Sequence, residues 1–258
     1  MTRRRSAAAS ASLEVMTERL PSTGAPAAPD APATPCRSDE VVLIHLVFRR
    51  LFGDAPGLVR DVAPGDVDRA AFLARHLLGL TEMLHTHHRA EDAFFWDRMA
   101  ERAPACGLHV TAMRRQHEAL SDELDVVDAL VDDWKAEADV IAAEHLAVAL
   151  DQVDRALAVH LDDEERDAFP VLDEVLSEVE WDEISAEVGR ERPALPLFLL
   201  VGLIMDSLPE SERDAWIARE LPWPMRAAYR LVGRRSYERQ LQRLRPAASS
   251  PKGSRPLA

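Results

Sequence analysis

A chain of 258 residues that is 47% hydrophobic can bury a sizeable core without disulfide staples, and 10 glycines with 5% aromatics argue against a collagenous or turn-dense all-β chain. The formal charge of −14 argues against a surface that coats itself with nucleic acid, because phosphate would repel it. Cys36 and Cys106 form neither a C-x-x-C pair nor a metal-ligand spacing, so both read as free thiols of a reducing, cytoplasmic compartment.

Arg3-Arg4-Arg5 and the small-residue run behind it imitate the start of a signal peptide, but Glu14 arrives before an apolar stretch develops. Five prolines then alternate with Ala, Ser, Thr and Asp between Pro21 and Cys36, so residues 1–37 read as a disordered leader, with Met16 a second candidate start. Lys135 and Lys252 are the only lysines, a skew that with the abundance of Ala points to a GC-rich bacterial genome.

Ser38 is placed to cap a first helix, with Asp39 and Glu40 in its first turn. Val41, His45, Phe48 and Phe52 form its buried stripe, and Gly53, Pro56 and Gly57 are expected to break or kink it. After a turn and cap at Pro64-Gly65-Asp66, the spacing predicts a second helix over 67–102 with the stripe His76, Leu80, Leu84, His87, Glu91, Phe94, Arg98. The third carries Val110, Met113, His117, Leu120, Leu124, Val127, Val131 and Trp134. The fourth, over 140–176, carries Leu146, Leu150, Val153, Leu157, His160, Glu164 and Val171. Beyond Trp181 the helices shorten. The longest apolar run, Ala194 to Met205, contains Pro196 and falls short of the roughly 20 residues of a membrane span, so it reads as a buried helix. Ser207-Leu-Pro-Glu210 resembles a capping box. From Arg226 onward nine basic residues face one acid, Glu238: a local charge of +8 that leaves −22 for the rest of the chain. This basic segment is expected to dock on the acidic bundle, to meet an anionic membrane or nucleic acid, or to bind an acidic protein partner. The bundle itself is not a nucleic-acid surface.

No phosphate loop, G-x-S-x-G elbow or long period-2 pattern interrupts this order, so the chain is expected to be all-α: an antiparallel helix bundle over 38–180, additional C-terminal helices over 181–245 and a disordered tail over 246–258. Each seam of that bundle holds a histidine, and two hold a His/Glu pair one turn apart. Residues 87–96 and 160–169 also align with each other, histidine, acid pair and terminal aromatic in register. Together the seams gather His45, His87, Glu91, His117, His160 and Glu164 at one depth. One buried imidazole is ordinary, but two buried carboxylates without a cation would cost several kcal/mol each. Two metal ions with bridging carboxylates remove the penalty. His76 lies roughly 16 Å along the helix from His87, too far to share a metal. His85 and His88 are expected on other faces, His88 with Asp92 on a solvated one or, alternatively, as hydrogen-bonding support behind the metal ligands, and His109 and His145 at the periphery.

His87-His88-Arg89-Ala90-Glu91-Asp92, Gln116-His117-Glu118 and His160-Leu-Asp-Asp-Glu164-Glu165 ending in Phe169-Pro170 resemble the hemerythrin-like (HHE cation-binding) family over about residues 38–180. The resemblance implies an up-down-up-down four-helix bundle around a di-iron centre, with His45 from the first helix, His87 and Glu91 from the second, His117 from the third, and His160 and Glu164 from the fourth. Oxygen carriers of the family use two histidines on the third helix. At that spacing this chain has Met113 and Ser121, which argues against reversible dioxygen transport. Carriers also place the last carboxylate one residue later, so Glu164 or Glu165 could bridge. Imidazole-rich donors favour iron, while zinc and manganese also satisfy the set. The expected function is a non-haem di-iron protein that binds or senses dioxygen, nitric oxide or peroxide. The alternative is an iron-holding or metal-stabilised interaction protein without redox chemistry. Turnover does not follow from ligands alone, and no hydrolase or transferase motif is present.

Overall fold

The computed structural model describes residues 36–190 and 194–245, which are helical apart from short connections, with no β-strand among them. The four seams become long helices: α1 (Asp39–Arg60), α2 (Val67–Phe94) with its short continuation α3 (Trp96–Arg102), α4 (Gly107–Glu137) and α5 (Val140–Asp163). α1 packs on α5, α5 on α4 and α4 on α2, and a lighter α1–α2 contact closes the ring. This is the antiparallel bundle that the apolar spacing predicts, its core built from residues such as Phe52, Leu77, Leu124 and Leu150.

Several local expectations change. α1 continues through Pro56 to Arg60 rather than breaking there. Ser38 makes no cap bond to its helix; its hydroxyl donates to Asp173 instead. The second helix is interrupted at Phe95, and the fourth contains a wide π turn, Glu164–Ala168, before α6 (Phe169–Val175). Pro170 accounts for that turn: its ring would clash with the Arg166 carbonyl in a regular helix, and the backbone N–H of Phe169 bonds to Glu164 O instead. Cys36 and Arg37 belong to the packed body, since Cys36 is buried and Arg37 pairs with Asp182. The rest of the expected leader, Met16 and the expected tail lie outside the described residues.

α7 (Glu178–Val188) starts with a full capping box between Ser177 and Glu180. The box expected at Ser207 is absent: Ser207 ends α8 (Leu197–Ser207), its hydroxyl donating to Leu203 O, and α9 (Glu210–Glu220) starts after Pro209 with no side-chain cap. α8 packs against α1, and its Leu199, Leu203 and Ile204 join the main apolar core. α10 (Trp223–Ala228) runs through a second π turn into α11 (Arg234–Leu244), which packs on α8 so closely that a Cβ at Gly202 would lie 2.3 Å from the Tyr237 ring. The basic segment thus docks chiefly through apolar contact. Arg245 pairs with Asp54 of α1, while Arg234, Arg235 and Arg239 face solvent. No helix among the described residues is long and apolar enough to cross a membrane.

Candidate metal centre

All six residues drawn from the seams meet at one level of the bundle, between the main apolar core and a smaller cluster at the bundle end that includes Trp96, Met113, Phe169 and Trp181. A seventh joins them. His88 is 4% exposed and stacks on His117 with ring centroids 4.2 Å apart, so the solvated face expected for it is wrong. The donors fall into two groups: His45, His87, Glu91 and Glu164, and the trio His88, His117 and His160. Within each group one donor atom per residue lies within 4.8 Å of the others.

The carboxylates stand between the groups. Glu91 Oε1 lies 3.1 Å from His87 Nε2, and its Oε2 lies 3.5 Å from His117 Nε2. Glu164 Oε2 lies 3.5 Å from His45 Nε2 and 3.7 Å from His160 Nε2. The π turn separates the roles of the two adjacent glutamates: Glu164 is fully buried among the imidazoles, whereas Glu165 Oε1 accepts from His45 Nδ1 at 2.8 Å and from Arg49 at 2.7 Å.

Three imidazoles are oriented from behind in the same way. His45 Nδ1 donates to Glu165, His117 Nδ1 to Asp92 Oδ1 at 3.0 Å, and His160 Nδ1 to Gln116 Oε1 at 3.0 Å. These acceptors impose the tautomer that leaves Nε2 as a lone pair directed inward. His45 Nε2 and His87 Nε2 then face each other at 3.2 Å. The Nε2 atoms of His88, His117 and His160 and both oxygens of Glu91 and Glu164 are buried with no hydrogen-bond partner. Native proteins rarely leave so many buried polar atoms unpaired in one place, and a cation would satisfy all of them together. The residues present therefore fit a metal ion.

Electrostatics agree with this geometry. Burial pushes His45 below its ordinary value despite the Glu165 bond, holds His87 and His88 well below it, and brings His160 to about 2. Burial and the neighbouring Glu164 push Glu91 well above the carboxylate range, and burial beside Glu165 raises Glu164 to about 8. Glu165 goes the other way: burial raises it, but the bonds from His45 and Arg49 outweigh that and hold it low. In the metal-free centre these shifts favour neutral His45, His87, His88 and His160 and protonated Glu91 and Glu164 at neutral pH.

Apolar walls close the centre. Phe169 stacks on His45, Phe48 lies against His87 and Trp96 against His117, with centroids 5.4, 5.1 and 5.9 Å apart. His76 is buried away from the cluster, and His109 and His145 are exposed. Sequence reasoning missed His88 as a donor and Gln116 as the acceptor for His160, and offered Asp92 only as the alternative of hydrogen-bonding support, which it gives to His117. The available signal was position, since Asp92 follows Glu91 and Gln116 precedes His117.

A ring of unpaired imidazoles and carboxylates inside an antiparallel bundle defines the class: an all-helical protein built to hold a cation. The family model described as the hemerythrin HHE cation binding domain matches residues 37–176, more than half of the chain, and the chain belongs to that family. Membership implies a bound metal cation, typically iron. No curated protein and no solved structure matches the chain.

Proposed function

We propose that this chain is a non-haem di-iron protein that binds or senses dioxygen, nitric oxide or peroxide in the core of its bundle. The observation that carries the reading is the pair of carboxylates, each spanning the two donor groups and each left unpartnered among oriented imidazoles. Five imidazoles and two carboxylates suit iron better than magnesium or calcium, which favour oxygen donors and water. Such a pair of ions supplies open coordination positions for a small ligand and, with iron, a redox couple.

The chain's own residues do the rest. Glu165, Asp92 and Gln116 hold three imidazoles in register, so little reorganisation accompanies binding. Glu91 and Glu164, both raised by burial, would have to give up their protons to hold a cation, so metal affinity would rise with pH. Phe48, Trp96 and Phe169 keep bulk water from the centre.

Anaerobic loading with ferrous iron, followed by air, nitric oxide or peroxide, tests the proposal. The expected result is about two irons per chain and new charge-transfer absorption on exposure to one of the three. A colourless, unreactive metalloprotein would favour the metal-stabilised interaction protein, and a metal content near zero in the presence of ample iron would overturn both.

A further inference from the structure

The centre is closed by Phe169 on one side and by the Arg49–Glu165–His45 chain on the α1–α5 side, yet it is not sealed everywhere. A groove of about 510 Å³ opens between α2 and α4. Its lining includes His88 and His117, both at least nine-tenths buried and both carrying an Nε2 with no hydrogen-bond partner. Asp92, Glu118 and Asp122 line it as well. Ser121, one turn beyond His117, contributes only a hydroxymethyl group to the wall, which helps leave the passage open.

We propose that this groove is the route by which a divalent cation enters the buried centre. The inference rests on the metal centre proposed above. Arg89 and Arg114 also border the groove, but their guanidinium groups are engaged outward, Arg89 by Glu82 at 3.1 Å and Arg114 by Asp97 at 2.7 Å. Glu118 and Asp122 have no ion-pair partner among the described residues, and Asp92 uses one oxygen on His117. The groove therefore offers carboxylates at its mouth and imidazole lone pairs at its base. An entering cation exchanges water for carboxylate oxygens first and for His88 and His117 nitrogens next. Carboxylates without an ion-pair partner at the mouth of a cleft attract a cation and raise its association rate, while the two arginines are neutralised by Glu82 and Asp97.

Anaerobic stopped-flow loading of the full apo chain with cobalt(II), followed by its visible absorption, tests the route without any reaction at the metal. The double variant Glu118→Gln/Asp122→Asn is expected to load about tenfold more slowly at low ionic strength, with unchanged final stoichiometry and a weaker salt dependence. Ser121→Trp, which fills the groove without altering charge, is expected to slow loading and chelator extraction alike. Asp162→Asn, on the far α1–α5 face beside Arg49, is the control and should load like the parent. Parent-like rates in both groove variants, or equal slowing by Asp162→Asn, overturn the route while leaving the centre intact. Failure of the parent chain to take up cobalt or iron overturns the metal centre and the route with it.

Discussion

Glu164 in the bundle centre and Glu180 at the start of α7 are the same residue type held in opposite ways. Glu164 is buried with two unpartnered oxygens and is raised to about 8. Glu180 accepts from Arg102 at 2.6 Å and from the Ser177 backbone at 3.1 Å, and is held at about 2. The end cap is complete at this position, because the Glu180 charge has its partners within the chain. The centre is incomplete in the same sense: its donors are positioned and then left unpaired, so the protein alone is less stable than the protein with its cation.

The largest test of that contrast is metal itself. A ligand that binds only the folded state at a thousandfold over its Kd adds about 4 kcal/mol, which is about 10 °C in Tm for a chain of this size. Thermal unfolding with and without ferrous iron under anaerobic conditions should show that gain. His88→Ala and His117→Ala should reduce both the gain and the metal bound per chain, as read by elemental analysis, whereas His76→Ala should leave the metal content as it was. Full stoichiometry in His88→Ala would remove His88 from the centre.

His88 also shows where the sequence was legible and where it was not. The 3.6-residue spacing located six of the seven clustered donors, because each lies on the seam of its own helix. It assigned His88 to solvent because adjacent residues point about 100° apart on a helix. A helix in a four-membered ring meets two neighbours, however. His87 turns to His45 of α1, while His88 turns to His117 of α4 and His160 of α5. The choice between Glu164 and Glu165 was likewise beyond periodicity, since the π turn that separates them depends on Pro170, several residues downstream. The extension was legible as short helices around a buried apolar one, but not its seat against α1, which no local pattern specifies.

A smaller effect appears in the pH dependence of the metal-free protein. His87, His88 and His160 have folded values below the ordinary 6.5, so they favour the unfolded chain increasingly as pH falls below about 6.5. Glu164 is raised, so its contribution is fully present below its ordinary 4.5 and is lost as pH rises through about 8. Above about 6.5 the imidazole effect is spent and only the carboxylates act, so apo stability should fall between about pH 6.5 and 8. Iron held as proposed would keep these carboxylates ionised, and the alkaline limb of the loaded protein should then flatten. Tm measured across this range for both forms distinguishes the two. An identical alkaline limb in each would mean that Glu164 does not meet the metal.

The smallest effect belongs to the end cap. α7 is fixed by the Ser177–Glu180 capping box, and Arg102 ties Glu180 to the Val175 carbonyl as well. α7 in turn seats Trp181 on Phe95, next to the Trp96 that lies against His117. Ser177→Ala removes the hydroxyl that accepts from the Glu180 N–H and should cost about 1 kcal/mol in chemical denaturation at neutral pH. Iron stoichiometry should not change, because the loss falls on a cap whose Glu180 charge is paired within the chain, in contrast to the centre. Glu180 should still titrate with the opposite sign to Glu164: its stabilisation is present above 4.5 and is lost as pH falls towards 2. If Ser177→Ala also lowered the metal content, the cap would be part of the centre's support through Trp181, and the division between a completed end and an incomplete centre would have to be redrawn to include α7.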